Sequence, residues 1–127
     1  MILGMGLDVA EIARIRESMA RFGERFVARL LTEAEAAAMP ETNPAQYVAA
    51  RFAAKEACAK ALGTGFAQGV TMHAIEVRSL PSGAPTLLLS GRARELAEAM
   101  GATRLHLSLT HGRDVAAAVV ILEGSPL

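Results

Sequence analysis

One stretch of the chain groups charged and small residues in a pattern that suits binding of a polyphosphate. It runs from Arg51 to Gly65, and Lys55, Glu56 and Lys60 lie within it. Arg51 and Lys55 are four residues apart, as are Glu56 and Lys60, so a helix would place all four charges within one half of its circumference. A carboxylate among three cations, followed by a Gly-Thr-Gly turn, can hold a metal ion and a polyphosphate together. The alternative is a Glu-to-Lys pair on a solvated face, which contributes about 0.3–0.5 kcal/mol.

A second carboxylate, Asp8, follows the apolar segment of residues 2–7, which is predicted to be a short buried strand. Asp8 and Glu56 together offer oxygen ligands for a hard cation such as Mg²⁺, whose sites typically use one or two carboxylates, waters and substrate phosphates. Only folding can bring the two residues together. The alternative is that Asp8 simply caps the helix that follows it.

The helices that must position these residues follow from apolar periodicity and capping signals. Apolar side chains at spacings of three and four predict an amphipathic helix over residues 12–30, bent near Gly23. Thr32-Glu-Ala-Glu35 is a capping box that opens a short helix. Asn43-Pro44 then supplies an N-cap and a first-turn proline for a long helix to Leu62, with Gly63 as its left-handed stop.

The second half of the chain reads mainly as strands. The predicted elements are a half-exposed strand at 74–80, a strand at 86–90, a helix at 91–100, an alternating strand at 104–111 and an apolar strand at 115–122. The last of these is expected to be central and buried on both faces. Helices followed by antiparallel strands predict an α+β fold in which an antiparallel sheet packs against the long helix.

The bulk composition limits the classes of partner. The chain has 127 residues, which predicts one domain spanning 1–127, and its 13 Lys plus Arg balance 13 Asp plus Glu. No net field therefore favours nucleic acid or a membrane surface, and no apolar run approaches the length of a membrane span. A single cysteine, Cys58, forms no internal disulfide, and the opening residues lack a basic signal-peptide segment. A reducing, cytoplasmic environment is expected.

A stripe of arginines stands out in this neutral chain. Arg14, Arg21, Arg25 and Arg29 fall on one side of the first predicted helix, beside its apolar face. A docking surface for an acidic protein and an ordinary solvated face both fit this pattern.

Four segments, in this order, resemble the motifs of the holo-[acyl-carrier-protein] synthases, the small 4'-phosphopantetheinyl transferases. They are residues 4–15, 51–65, 83–85 and 106–111, which together extend over almost the whole chain. The resemblance implies a 4'-phosphopantetheinyl transferase-like fold. It also implies a reaction in which the phosphopantetheine arm of coenzyme A moves to a serine of apo acyl-carrier protein, adenosine 3',5'-bisphosphate leaves, and fatty acid biosynthesis is supported.

The resemblance also implies roles for single residues. Asp8, Glu56 and Lys60 are the implied catalytic set, in which Asp8 and Glu56 bind Mg²⁺ and Lys60 contacts the pyrophosphate of coenzyme A. The further groups implied to bind coenzyme A are Arg51, Lys55, His111 and the segment Gly63, Thr64 and Gly65. Either Glu56 or a metal-bound water is the base for the attacking hydroxyl.

The partners follow from the same resemblance. Arg14, Arg21 and Arg25 match docking arginines for the acidic carrier protein, and family members form homotrimers with sites at subunit boundaries. Two rivals stay open at this point: a non-catalytic module that binds coenzyme A or a carrier protein, and a metal-dependent phosphatase that releases inorganic phosphate.

Overall fold

The computed structural model describes residues 1–126 and shows an α+β fold, as the sequence predicted. The helices are α1 Ile12–Phe22, α2 Glu24–Leu30, α3 Glu33–Ala37, α4 Pro44–Ala61 and α5 Gly91–Met100, with a 3₁₀ turn at Met72–Ala74. The strands are β1 Ile2–Glu11, β2 Ile75–Ser79, β3 Pro85–Leu89, β4 Ala102–His111 and β5 Val115–Gly124.

Two antiparallel sheets surround the long helix α4. One sheet has the strand order β1-β5-β4, and the other is the β2-β3 hairpin. Helix α4 packs on β1 and β5 and buries a small-residue face that includes Ala53, Ala54 and Ala57, each 0% exposed. Alanine side chains allow the sheet to approach α4 closely, and α4 forms the centre of the core.

The capping signals of the helices are largely confirmed. Gly23 separates α1 from α2 at a φ of 60°, where the bend was expected. Thr32 and Glu35 form both hydrogen bonds of a capping box at the start of α3. Pro44 begins α4, but Asn43 adopts a left-handed conformation and its side chain caps nothing.

Strand β1 differs from its prediction. It continues past Asp8 to Glu11, and Asp8 lies inside the strand opposite Ala118. Asp8 therefore caps no helix; Glu11 precedes α1, also without a side-chain cap, and the backbone N–H of Ile12 donates to the carbonyl of Asp114. The strand alternates between faces, so Leu7 is 63% exposed while the helix-facing side is covered.

The outer face of the three-stranded sheet is apolar and open. Strand β5 is central, as predicted, but the expectation that both of its faces are buried is wrong for Val119 and Ile121, which are only half-buried. Their β1 neighbours Met5 and Leu7 are 60% and 63% exposed. Within residues 1–126, no helix has the length and apolar character needed to span a membrane.

Two glycines let β1 lie directly against α4. A Cβ at Gly6 would overlap the carbonyl oxygen of Ala57, and a Cβ at Gly4 would overlap that of Ala61. Strand backbone and helix backbone are thus in contact, closer than any other residue type allows. This contact brings the inner face of β1, which carries Asp8, against the second half of α4.

Candidate active site

Asp8 and Lys60 form an ion pair across the contact between β1 and α4. The Lys60 ammonium donates to Asp8 Oδ1 at 2.8 Å and to the carbonyl oxygen of Leu7 at 3.1 Å. The hydrogen bond to Asp8 raises the pKa of Lys60, so Lys60 stays a cation. Its side chain is 52% exposed, against 16% for Asp8, so the ammonium can also reach a ligand in solvent.

Glu56 lies in the electrostatic field of the same pair. Burial raises the pKa of Glu56, the charge of Asp8 raises it further, and the charge of Lys60 opposes both effects. The two carboxylates therefore lie close enough to repel each other. Within residues 1–126, no group of three or more His, Cys, Asp or Glu residues could hold a metal ion. Two carboxylates that leave the remaining coordination positions to water and phosphate oxygens fit Mg²⁺.

The turn after α4 is open to a ligand. Gly63 and Gly65 have φ values of 83° and 58°, a left-handed conformation that favours glycine, and a Cβ at either position would meet nothing within 4 Å. The Gly63 N–H donates to the carbonyl of Lys60 and the Gly65 N–H to that of Ala59. The turn is therefore held against the end of α4 while its outer side stays accessible.

Lys55 does not face this site. Its side chain is 0% exposed, and its ammonium donates to Glu35 Oε1 at 2.7 Å and to the Met72 carbonyl at 3.0 Å. Burial lowers the pKa of Lys55, and the bond to Glu35 opposes that shift. The prediction that Lys55 contacts a phosphate is wrong, because helix residues one position apart differ by about 100° and only Glu56 turns toward the site.

Arg51 and His111 lie apart from the carboxylates. The Arg51 guanidinium stacks on the Tyr47 ring at 3.9 Å, and its buried Nε has no hydrogen-bond partner within the described residues. His111 ends β4, two strands away from β1, and is exposed. Within one chain, the structure brings together Asp8, Glu56 and Lys60. His111 lies on β4, and two strand spacings, or about 10 Å, separate β4 from β1.

The arginine stripe borders two grooves along α1 and α2. A cavity of about 490 Å³ is lined by Arg21, Phe22, Arg25, Phe26 and Arg29. A second, of about 300 Å³, lies between Arg14 and the apolar side chains of Ile15, Phe26 and Phe52. Phe52 is one helical turn before Glu56, and Val9, which also lines this cavity, follows Asp8. The second groove is therefore lined by one residue next to Asp8 in sequence and by another one helical turn from Glu56, although neither carboxylate lines it.

Comparisons with known proteins agree with this geometry. A family model described as the 4'-phosphopantetheinyl transferase superfamily matches residues 4–120. The chain belongs to this superfamily. A holo-[acyl-carrier-protein] synthase of Maridesulfovibrio salexigens is 56% identical over 123 residues, which are 97% of this chain and 99% of the relative. The prediction of a phosphopantetheinyl transferase of the holo-[acyl-carrier-protein] synthase family is confirmed, and the chain is an enzyme of that family.

Solved structures of holo-[acyl-carrier-protein] synthases share the fold. That of Neisseria meningitidis matches with a TM-score of 0.88 and 37% identity over 97% of this chain and 99% of its own. That of Helicobacter pylori, solved in complex with coenzyme A, matches with a TM-score of 0.83 and 31% identity over 94% and 99%. The predicted phosphopantetheinyl transferase-like fold is confirmed.

Sequence reasoning missed one buried residue of this synthase fold. Glu35 was identified only as the last member of a capping box, yet its side chain is 0% exposed and binds Lys55 and the backbone N–H of Val77. Lys55 could have pointed to Glu35 in the sequence, because a lysine on an alanine-rich, core-facing helix needs a buried carboxylate partner.

Proposed function

We propose that the protein transfers 4'-phosphopantetheine from coenzyme A to a serine of apo acyl-carrier protein, with Mg²⁺ as cofactor and adenosine 3',5'-bisphosphate as the second product. The proposal places the enzyme in the cytoplasm, in support of fatty acid biosynthesis, with residues 1–127 as one transferase domain. The observation that carries it is the cluster of Asp8, Glu56 and Lys60, in which Lys60 pairs with Asp8 at 2.8 Å and both charges act on Glu56. The coenzyme A complex of the Helicobacter pylori relative supports the choice of donor.

Asp8 and Glu56 would hold the metal ion. When bound there, Mg²⁺ supplies positive charge for the pyrophosphate oxygens of coenzyme A. Lys60 contributes a second, mobile cation beside the same oxygens, because its exposed ammonium can move from Asp8 to a phosphate. Fixed charges of this kind stabilise the negative charge that develops during phosphoryl transfer.

The transfer itself exchanges one phosphorus–oxygen bond for another. The carrier's serine oxygen attacks the β-phosphorus, and the bond from that phosphorus to the bridging oxygen breaks, which releases adenosine 3',5'-bisphosphate. The serine proton goes to Glu56 or to a water beside it. Without a bound cation, burial and the charge of Asp8 raise the pKa of Glu56.

The nucleotide half would bind around the turn of Gly63, Thr64 and Gly65. The accessible outer side of that turn and the unpartnered Nε of Arg51 both suit an anionic ligand. His111 lies two strands away from Asp8 in the sheet of its own chain, and we propose that it serves the site of a neighbouring copy.

The arginine grooves would receive the carrier protein. Arg14, Arg21 and Arg25 surround exposed or half-buried phenylalanines, so an acidic helix with an apolar face complements the surface in charge and in polarity. Arg29 lines the same cavity as Arg21 and Arg25, and we add it to the docking set.

Reversing two of these charges is expected to weaken carrier binding selectively. The double variant Arg14→Glu/Arg21→Glu should raise the KM for the carrier by about 100-fold, because two attractive contacts become repulsive, while the KM for coenzyme A changes less than about twofold. Initial-rate kinetics with each substrate varied in turn measure both constants. Arg94→Glu/Arg104→Glu, at exposed arginines elsewhere, is the matched control. An unchanged carrier KM in the first variant would remove the docking assignment.

We further propose that the open sheet face is covered by two other copies of the chain, giving a homotrimer. Ile2, Met5, Leu7 and Val9 expose 56% or more of their surface on one face of β1. An apolar face of this kind on a folded chain marks an interface. Copies meeting there would also bring His111 of one copy toward the site of another.

Placing a charge on this face is expected to dissociate the trimer. Met5→Glu should shift the mass in light scattering from three times the chain mass of 13.3 kDa to that of a single chain, because carboxylates would be buried together at the interface. Leu88→Glu replaces a leucine of similar exposure on β3 and should leave the mass unchanged. A wild-type protein of single-chain mass would contradict the trimer.

The reaction is tested by the intact mass of an apo acyl-carrier protein after incubation with the enzyme, coenzyme A and Mg²⁺. We expect the carrier to gain one phosphopantetheine, and a chelator to abolish that gain. No gain with several carriers, despite measurable coenzyme A binding, would favour the non-catalytic binding module. Release of inorganic phosphate without a mass gain would favour the phosphatase.

A further inference from the structure

We infer that Glu35 is a positioning residue for the coenzyme A side of the site, an inference that rests on the proposed function. Glu35 touches none of Asp8, Glu56 or Lys60. It connects to two parts of the chain: the far end, at Met72, of the loop whose first residues the proposed function assigns to the nucleotide, and the proposed nucleotide contact Arg51.

The Glu35 carboxylate is fixed in one orientation. Its Oε1 accepts from the Lys55 ammonium at 2.7 Å and from the Thr32 N–H at 2.9 Å, and its Oε2 accepts from the Val77 N–H at 2.8 Å. These partners lie on α4, at the start of α3 and on β2. Because the side chain is 0% exposed, water cannot replace any of these bonds when one is lost.

The first connection runs through Lys55 to the loop after α4. The Lys55 ammonium, paired with Glu35, also donates to the Met72 carbonyl at 3.0 Å. Met72 opens the 3₁₀ turn at the far end of the loop, and the near end is held by the bonds from Gly63 and Gly65 to the last turn of α4. Hydrogen bonds therefore attach the loop to α4 at both ends. The bond at the Met72 end comes from Lys55, whose ammonium also pairs with Glu35.

The second connection runs through the backbone of Glu35 to Arg51. The Tyr47 hydroxyl donates to the Glu35 carbonyl at 2.7 Å, and the Arg51 guanidinium stacks on the Tyr47 ring at 3.9 Å. The position of Arg51 thus depends on the tyrosine, and that of the tyrosine on α3. The first connection ends at Met72, at the far end of the loop that begins with the proposed nucleotide contacts Gly63 to Gly65, and the second ends at Arg51.

If Glu35 only stabilised the fold, its loss would not affect coenzyme A binding more than carrier binding. A capping box requires only the bond from the Thr32 N–H, and buried ion pairs can often be replaced by apolar residues without loss of stability. No hydrogen bond from Glu35, Lys55 or Tyr47 leads to the arginine grooves within the described residues. A change at Glu35 should therefore affect coenzyme A and spare the carrier protein.

Glu35→Gln is the direct test. Glutamine keeps the shape and one acceptor, but it removes the charge opposite Lys55 and places an amide donor against either the Val77 N–H or the Lys55 ammonium. We expect the KM for coenzyme A to rise about tenfold, with kcat and the KM for the carrier within about twofold. Calorimetric titration with coenzyme A alone, without carrier, should show the same loss of affinity.

Two further variants separate positioning from stability. Thr32→Ala removes the α3 cap and the bond from its hydroxyl to Glu76, so it should lower the urea midpoint of unfolding yet leave the KM for coenzyme A unchanged. Tyr47→Phe removes only the hydroxyl and should raise the KM for coenzyme A about threefold. It tests the second connection even if Glu35→Gln does not fold.

The outcomes distinguish this inference from the proposed function. Equal changes in both KM values, or unchanged coenzyme A affinity in both Glu35→Gln and Tyr47→Phe, would overturn the positioning role. If the wild-type enzyme binds coenzyme A but transfers nothing, and the affinity still falls in Glu35→Gln, positioning holds and the reaction fails. If the wild-type enzyme does not bind coenzyme A at all, both are wrong.

Discussion

Glu56→Gln is expected to reduce phosphopantetheine transfer by at least about a thousandfold while the fold survives. The change removes one of the two carboxylates proposed to hold the metal and the group proposed to accept the serine proton. Asp8→Ala should have a comparable effect, because it removes the other carboxylate and leaves Lys60 without its 2.8 Å partner. The measurement is the rate of mass gain of the carrier protein at saturating Mg²⁺.

The free energy of unfolding of Glu56→Gln shows whether its loss of activity comes from the missing carboxylate or from unfolding. Because the folded state raises the pKa of Glu56, ionised Glu56 disfavours folding, and this penalty is present above the folded pKa and disappears as the pH falls below the ordinary value of 4.5. The metal-free variant should therefore be at least as stable as the wild type at pH 7 and no more stable at pH 4. Glu33→Gln, at an exposed position on α3, is the control and should keep full activity. Full activity in both Glu56→Gln and Asp8→Ala would remove the metal assignment.

Gly6→Ala is expected to produce the largest loss of stability of any single methyl group added to this chain, about 3 kcal/mol or more. The new Cβ would overlap the carbonyl oxygen of Ala57 and lie 2.8 Å from its carbonyl carbon and 3.0 Å from the Ala61 nitrogen. All three are helix backbone atoms, which cannot rotate away as a side chain would. Strand β1 and helix α4 must separate, and Asp8 moves with the strand.

The matched control for this substitution is Gly112→Ala. A Cβ at Gly112 meets nothing within 4 Å, and its backbone lies outside the left-handed region. Its stability should change by less than about 0.5 kcal/mol. Urea unfolding followed by circular dichroism, at equal protein concentrations, compares the two variants. A Gly6→Ala protein as stable as Gly112→Ala would show that the backbone contact between strand and helix is not tight in solution.

The fold was predictable where its signals are local. The capping box at Thr32, the break at Gly23 and the alternation along β4 each depend on a few neighbouring residues, and each is confirmed. The extent of β1 was predicted less well. Its exposed residues are apolar, so the strand read as buried and ended too early at Asp8. Hydrophobic pattern cannot tell a core face from a face that another subunit would cover.

The candidate site was predictable as a set of residues but not as an arrangement. The motif resemblance paired Asp8 with Glu56, and the structure places Lys60 against Asp8 as well. Lys55 was misassigned because helical spacing gives the angle between two side chains but does not show which side of the helix is buried. That choice depends on Glu35, twenty residues earlier in the chain, whose buried carboxylate draws Lys55 inward.

The pairing of β1 with β5 has a consequence for the order of folding. Strand β1 precedes the other described elements and hydrogen-bonds in its sheet only to β5, which follows them, and the amino group of Met1 donates to the carbonyl of Gly124 at 2.8 Å. On the ribosome, Asp8 therefore has no β-sheet partner strand until β5 has emerged, and non-local pairings of this kind form slowly. A chain that ends before β5 would leave the apolar β1 without its partner strand.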